Sequence, residues 1–189
     1  CEAPKLYPGV ATVLREARPK DLLIDHSRRP GCNEGEEDRL RAALEHACGL
    51  PQGEACDRIV ALEKEHKDRR DWVWAQLGQS PLAQALEPLA RLAALARTPL
   101  GGTSPQSIAG DYAANGWRCD RAALDALGLS HGPAGSSLIA RVVRALYAPW
   151  LDATARHFQA LIAAAGLDAR ALSQGVMADR ETCIVFADG

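Results

Sequence analysis

Glu181-Thr182-Cys183-Ile184-Val185-Phe186-Ala187-Asp188-Gly189 closes the chain. It reads as a buried β-strand ending in Asp-Gly, whereas everything before it reads as helix. A strand must pair its backbone donors and acceptors with another strand. No partner strand is visible upstream. Residues 180–189 are therefore expected to be the first strand of a truncated α/β domain, and the chain an internal piece of a larger protein. Its start agrees with that expectation, because residue 1 is Cys and nothing resembles a leader.

Composition points to helices. Of 189 residues 47% are hydrophobic, largely Ala and Leu, and only 5% are aromatic. Such a chain favours helices that approach closely through small residues. The net charge of -2 gives no global attraction to nucleic acid or anionic lipid. No apolar run reaches the roughly 18 residues needed to span a bilayer, so no membrane partner is expected. Six irregularly spaced cysteines without a Cys-x-x-Cys pair read as small buried hydrophobes in a reducing cytoplasm. A zinc site from Cys32, Cys48, Cys56 and His46 matches no usual ligand spacing.

The expected architecture is a mainly α, irregular bundle of about 8–10 helices, followed by the one C-terminal strand. Residues 1–97 form an N-terminal helical half, 98–103 a linker, and 104–175 a C-terminal helical half. In the first half, Leu40, Ala43, Leu44 and Ala47 should face inward from a helix whose acidic first turn begins at Glu34. A second helix follows Pro51 and extends to His66. Lys67–Asp71 reads as a solvated, charged connector. Trp72 and Trp74, two residues apart, cannot share a helical face, so one should enter the core. Ser80-Pro81 opens a helix by the cap-then-proline rule. There Leu82, Leu86, Leu89, Ala93 and Ala96 make a coiled-coil-like seam, with a kink or break expected near Glu87 because of Pro88.

In the second half, Ser104-Pro105 starts a helix that should end in a tight turn at Asn115-Gly116. Asp120 is expected to cap the next helix, with Leu124 and Leu127 as its anchors. That outline is a helix-turn-helix, with Trp117 as the buried wedge at the corner. Its second helix is too poor in Arg, Lys, Asn and Gln for a typical DNA reader. An ordinary αα-hairpin is the plainer reading. From Ser136 a long helix carries Leu138, Val142, Leu146, Trp150, Thr154, Phe158, Leu161 and Ile162 in one stripe, bent at Pro149.

Asp188 is the sharpest candidate for chemistry. Ligands and metals gather at the carboxyl ends of strands in open α/β sheets, and a carboxylate there suits Zn, Mg or Mn. Taken alone, Asp-Gly after a strand is more often the signature of a simple turn. No His-Glu-x-x-His pair, nucleophile elbow or phosphate-cradling loop accompanies it, so no catalytic or cofactor-binding residue is assigned.

Several stretches resemble a known family when taken in order. They are Arg69-Arg70-Asp71-Trp72-Val73-Trp74-Ala75-Gln76-Leu77-Gly78, then Pro81-Leu82-Ala83, Tyr112-Ala113-Ala114-Asn115-Gly116-Trp117-Arg118, Tyr147-Ala148-Pro149-Trp150-Leu151, and Arg180 to Gly189. From about residue 50 onward the chain resembles PglZ, the phosphatase-like component of BREX (Pgl) phage-defence systems. The resemblance implies a helical region leading into a domain of the alkaline phosphatase superfamily. It further implies that Asp188 ligates a divalent metal, zinc or similar, in the full-length protein. The nucleophile and remaining ligands would lie beyond Gly189, so this chain alone is expected to be inactive as a phosphatase or nuclease. Other BREX components are the implied partners, and DNA is a weaker expectation. A stand-alone helical interaction domain and a DNA-binding helical domain are the competing readings.

Overall fold

The computed structural model describes residues 9–16, 29–129 and 133–166. The expected strand at 180–189, and Asp188 with it, lies outside the described residues. The protein is mainly helical, with no strand among the described residues. The helices are α1 (Val10–Glu16), α2 (Pro30–Ala47), α3 (Gln52–His66), α4 (Val73–Gln76), α5 (Pro81–Leu95), α6 (Pro105–Asp111), α7 (Trp117–Gly128) and α8 (Pro133–Ala164). A 3-10 turn (Lys67–Asp71) joins α3 to α4, and a π turn (Tyr112–Gly116) joins α6 to α7.

The core is organised around α5, which packs against α2, α3, α7 and α8. Its expected seam of Leu82, Leu86, Leu89, Ala93 and Ala96 is buried, as is Leu92. Ala83, Ala85 and Pro88 are buried too, so the helix is covered on nearly every side. Leu40 and Leu44 of α2, Ile59 and Leu62 of α3, and Leu138, Val142 and Leu146 of α8 complete one cluster with it. Each fully buried Leu or Ile in such a cluster is worth about 1.5–3 kcal/mol. Residues on both sides of 98–103 belong to that single cluster.

Four details differ from the sequence reading. First, of the expected kink or break near Glu87, the break does not occur: α5 runs through Pro88 as one helix. A proline inside a helix forfeits one backbone hydrogen bond, and burial of Pro88 on the central helix offsets that loss. Second, α2 begins at Pro30 rather than near Glu34, with the proline in the first turn, where a missing N–H costs nothing.

Third, Asn115-Gly116 is not a tight turn. Gly116 has φ -61° and ψ -38°, an ordinary right-handed helical conformation. The chain passes from α6 through the π turn into α7 without a corner, so the helix-turn-helix outline does not form. Fourth, α7 faces the opposite way from expectation. It buries only small residues, Cys119, Ala122, Ala123 and Ala126. Leu124 is 58% exposed, Leu127 38% and Trp117 46%. The small inward face lets α7 lie close against α5, leaving no room there for leucine.

The tryptophans sort as expected: Trp74 is fully buried and Trp72 half-buried. The charged stretch after α3 does not, because Arg69 is only 3% exposed.

Candidate functional site

Arg69 is the centre of the first polar cluster, buried at 3% exposure. Burying a charge is costly unless it is paired and hydrogen-bonded. Arg69 Nη2 donates to Glu37 Oε1 at 2.7 Å and to Asn33 Oδ1 at 3.1 Å. Its Nη1 lies 3.3 Å from His66 Nδ1, and its guanidinium carbon sits 5.5 Å from the Trp72 ring centre. Its Nε is buried without a partner among the described residues. Asn33 in turn accepts from Ser80 Oγ at 2.7 Å and donates to the Gln79 carbonyl at 2.9 Å.

The Glu37 carboxylate also takes the backbone N–H of Leu82 at 3.0 Å and of Ala83 at 3.4 Å. These are open donors at the start of α5, so Glu37 does the capping that the sequence assigned to Ser80. Ser80 spends its hydroxyl on Asn33 instead. The result is a closed polar knot that ties α2, the 3-10 turn and α5 together. A cleft of about 530 Å³ opens beside it, bordered by Arg39, Glu36, His66 and Trp72. Burial, followed by the neighbouring Arg69 charge, holds the His66 imidazole below its ordinary pKa, and Glu36 opposes that only in part. His66 is thus neutral at physiological pH, with Nδ1 free to accept from Arg69.

A second cluster lies along α7 and α8. Tyr112 Oη donates to Asp120 Oδ2 at 2.5 Å, and Tyr147 Oη donates to Asp120 Oδ1 at 2.6 Å. Asp120 therefore does not cap α7; it sits inside the helix and gathers two phenols. Its hydrogen bond raises the Tyr112 pKa, with burial adding to it. Burial raises Tyr147 further, with the Asp120 bond second.

Segment 98–103, read as a linker, is strapped to α8. Trp150 Nε1 donates to the Thr98 carbonyl at 3.1 Å, and Thr154 Oγ1 accepts from Leu100 N–H at 3.2 Å. His157 Nε2 lies 2.9 Å from the Gly102 carbonyl oxygen, so that nitrogen carries the proton. Positions 150, 154 and 157 share one helix face, and each grips alternate residues of an extended strap. At Gly102, with φ +143°, any β-carbon would meet Ser107 Oγ at 2.5 Å.

Strap, π turn and α8 enclose a groove of about 440 Å³. Leu100, Tyr112, Tyr147, Trp150 and Phe158 line it together with Asp120. Tyr147 and Trp150 pack against each other with ring centres 5.6 Å apart. Gly116 is needed here for space. A β-carbon there would come within 2.8 Å of the Tyr112 ring and 2.9 Å of Leu100.

Three of the described cysteines, Cys48, Cys56 and Cys119, are poor nucleophiles. Burial raises Cys48 and Cys56 and pushes Cys119 up to about 12, so these thiols stay protonated. No three His, Cys, Asp or Glu side chains converge as a metal site among the described residues, so Cys32, Cys48, Cys56 and His46 do not form one. No helix among the described residues is long and apolar enough to cross a membrane.

Asp188, the one residue proposed from sequence as a metal ligand, lies outside the described residues. Sequence reasoning missed both polar clusters. Glu37 offered the signal of an acid near an open helix start, but only the fold reveals that the helix start belongs to α5. Comparison with family models, curated proteins and solved structures finds no match.

Proposed function

We propose that the chain is the helical module of a PglZ-like phage-defence protein, working in the cytoplasm. In this reading it positions a metal-dependent phosphatase-like domain and binds partner components of the defence system. The ordered motifs from Arg69 to Leu151 motivate the family. The observation that supports a binding module is the outward face of α7. Trp117 and Leu124, seven residues apart, lie on one line of that helix, with Leu127 on its shoulder, and all three are exposed. Large apolar side chains grouped on a surface mark an interaction site more often than chance exposure.

The metal chemistry of the family finds no donor set among the described residues. A single carboxylate such as Asp188 falls short of the four or more ligands a divalent site needs. No catalytic step is therefore assigned to this chain. A stand-alone helical interaction domain is the second reading, favoured by the same α7 face.

Two experiments separate these readings. Reading the gene beyond codon 189 should show further Asp and His residues at strand ends; a stop codon there removes the PglZ-like reading. In the parent-length protein, Leu124→Glu should weaken co-purification with the tagged partner components by about tenfold or more, as for an interface anchor. Unchanged recovery with unchanged helical circular dichroism contradicts the assignment of α7.

A further inference from the structure

We infer that the groove between the 98–103 strap, the π turn and α8 binds a small organic cation with an apolar body. Its volume of about 440 Å³ falls within the range of about 300–1,000 Å³ typical of small-molecule sites. Its walls are aromatic and aliphatic, and among the described residues Asp120 is the single charged side chain that lines it.

Asp120 differs from its neighbour on the same helix. Asp125 meets Arg121 at 2.8 Å and Arg91 at 3.5 Å. Among the described residues Asp120 pairs with no Lys or Arg; its oxygens meet only the phenol hydroxyls of Tyr112 and Tyr147. Those bonds fix the carboxylate in place, with no Lys or Arg ion pair to it among the described residues. A cation in the groove meets that carboxylate together with aromatic rings, whose faces attract cations. A neutral ligand gains only burial, and an anion meets repulsion.

The backbone carries an independent sign. π turns are rare and occur frequently at functional sites, and here the π turn delivers Tyr112. In an ideal α-helix, residues eight apart are separated by about 12 Å along the axis, too far for this contact. The π turn packs an extra residue into that span, and Tyr112 reaches Asp120. Gly116 then provides the space that lets Tyr112 and Leu100 close together.

The test is calorimetric titration of the full chain with n-hexyltrimethylammonium, using n-hexanol and n-hexanesulfonate as chain-matched controls. The cation should bind about tenfold or more tighter than the alcohol, one decade being about 1.4 kcal/mol, and the sulfonate should be weakest. Asp120→Asn should remove the cation's advantage over the alcohol. Phe158→Ala, at the exposed end of the groove, should weaken the cation several-fold with helical circular dichroism intact. Equal affinity for all three head groups, a cation preference that survives Asp120→Asn, or indifference to Phe158→Ala overturns the inference.

Discussion

Glu37 and Asp120 are both carboxylates on helices, and both receive hydrogen bonds on each oxygen, yet they sit in opposite settings. Glu37 is paired with a buried arginine and caps the central helix, and it is shut in by the elements it joins. Asp120 is held by two phenols in the lining of an open groove. One arrangement consumes its charge internally; the other leaves it available. The difference separates a group that holds the fold from a group that can meet a ligand.

The largest effect should come from Glu37→Ala. It leaves Arg69 buried and unpaired and opens the start of α5. Breaking one partner of a buried ion pair costs about 3–5 kcal/mol, read as a lower urea midpoint at unchanged slope. Asp120→Ala should cost much less, about 1 kcal/mol or slightly more, because its cluster is only partly buried. If the two losses are equal, the contrast between knot and groove fails.

Gly116→Ala comes next. The added carbon must displace Tyr112 or Leu100, at a cost of about 1–3 kcal/mol, as in other overpacked sites. Spectrophotometric titration should then find the Tyr112 phenol nearer its ordinary pKa, because the bond to Asp120 is what raises it.

The two clusters should also fail at opposite ends of the pH scale. His66 has a folded pKa below its ordinary value of 6.5, chiefly because it is buried. Its contribution is therefore complete above that value and is lost as pH falls toward the folded pKa. Tyr147 has a folded pKa raised above its ordinary value of 10.0, chiefly because it is buried. Its contribution is complete below that value and is lost as pH rises through the alkaline range. Urea midpoints across pH should show an acid arm flattened by His66→Gln and an alkaline arm flattened by Tyr147→Phe. The smallest stability effect should be that of Leu124→Ser, within about 0.5 kcal/mol, since α7 turns this leucine to solvent.

How much of this was legible in the sequence follows from the kind of signal each element carries. The α5 seam and the inward face of α2 were readable, because in each a stripe of apolar residues recurs at helical spacing. α7 was not, because it carries two apolar faces, one of Ala and Cys and one of Trp and Leu. Periodicity reveals both and cannot choose; proximity to α5 chooses the small one. Asn115-Gly116 misled because glycine permits a turn without demanding one. Its missing β-carbon is used here for close approach within a helix. Arg69 looked solvated within Lys67–Asp71, since its buried partners Asn33 and Glu37 lie more than 30 residues away in sequence. Asp188, the residue on which the metal expectation rested, is not among those described.

The most direct test compares thermal unfolding of three chains with and without n-hexyltrimethylammonium: the unaltered protein, Glu37→Gln and Asp120→Asn. A ligand that binds the folded state alone raises the melting temperature, by an amount that grows with the ratio of its concentration to its Kd. The account predicts that Glu37→Gln melts lower but keeps its ligand-induced rise, whereas Asp120→Asn melts near the unaltered protein and loses that rise. A rise retained in Asp120→Asn, or lost in Glu37→Gln, would contradict the division between a carboxylate that holds the fold and one that serves the groove.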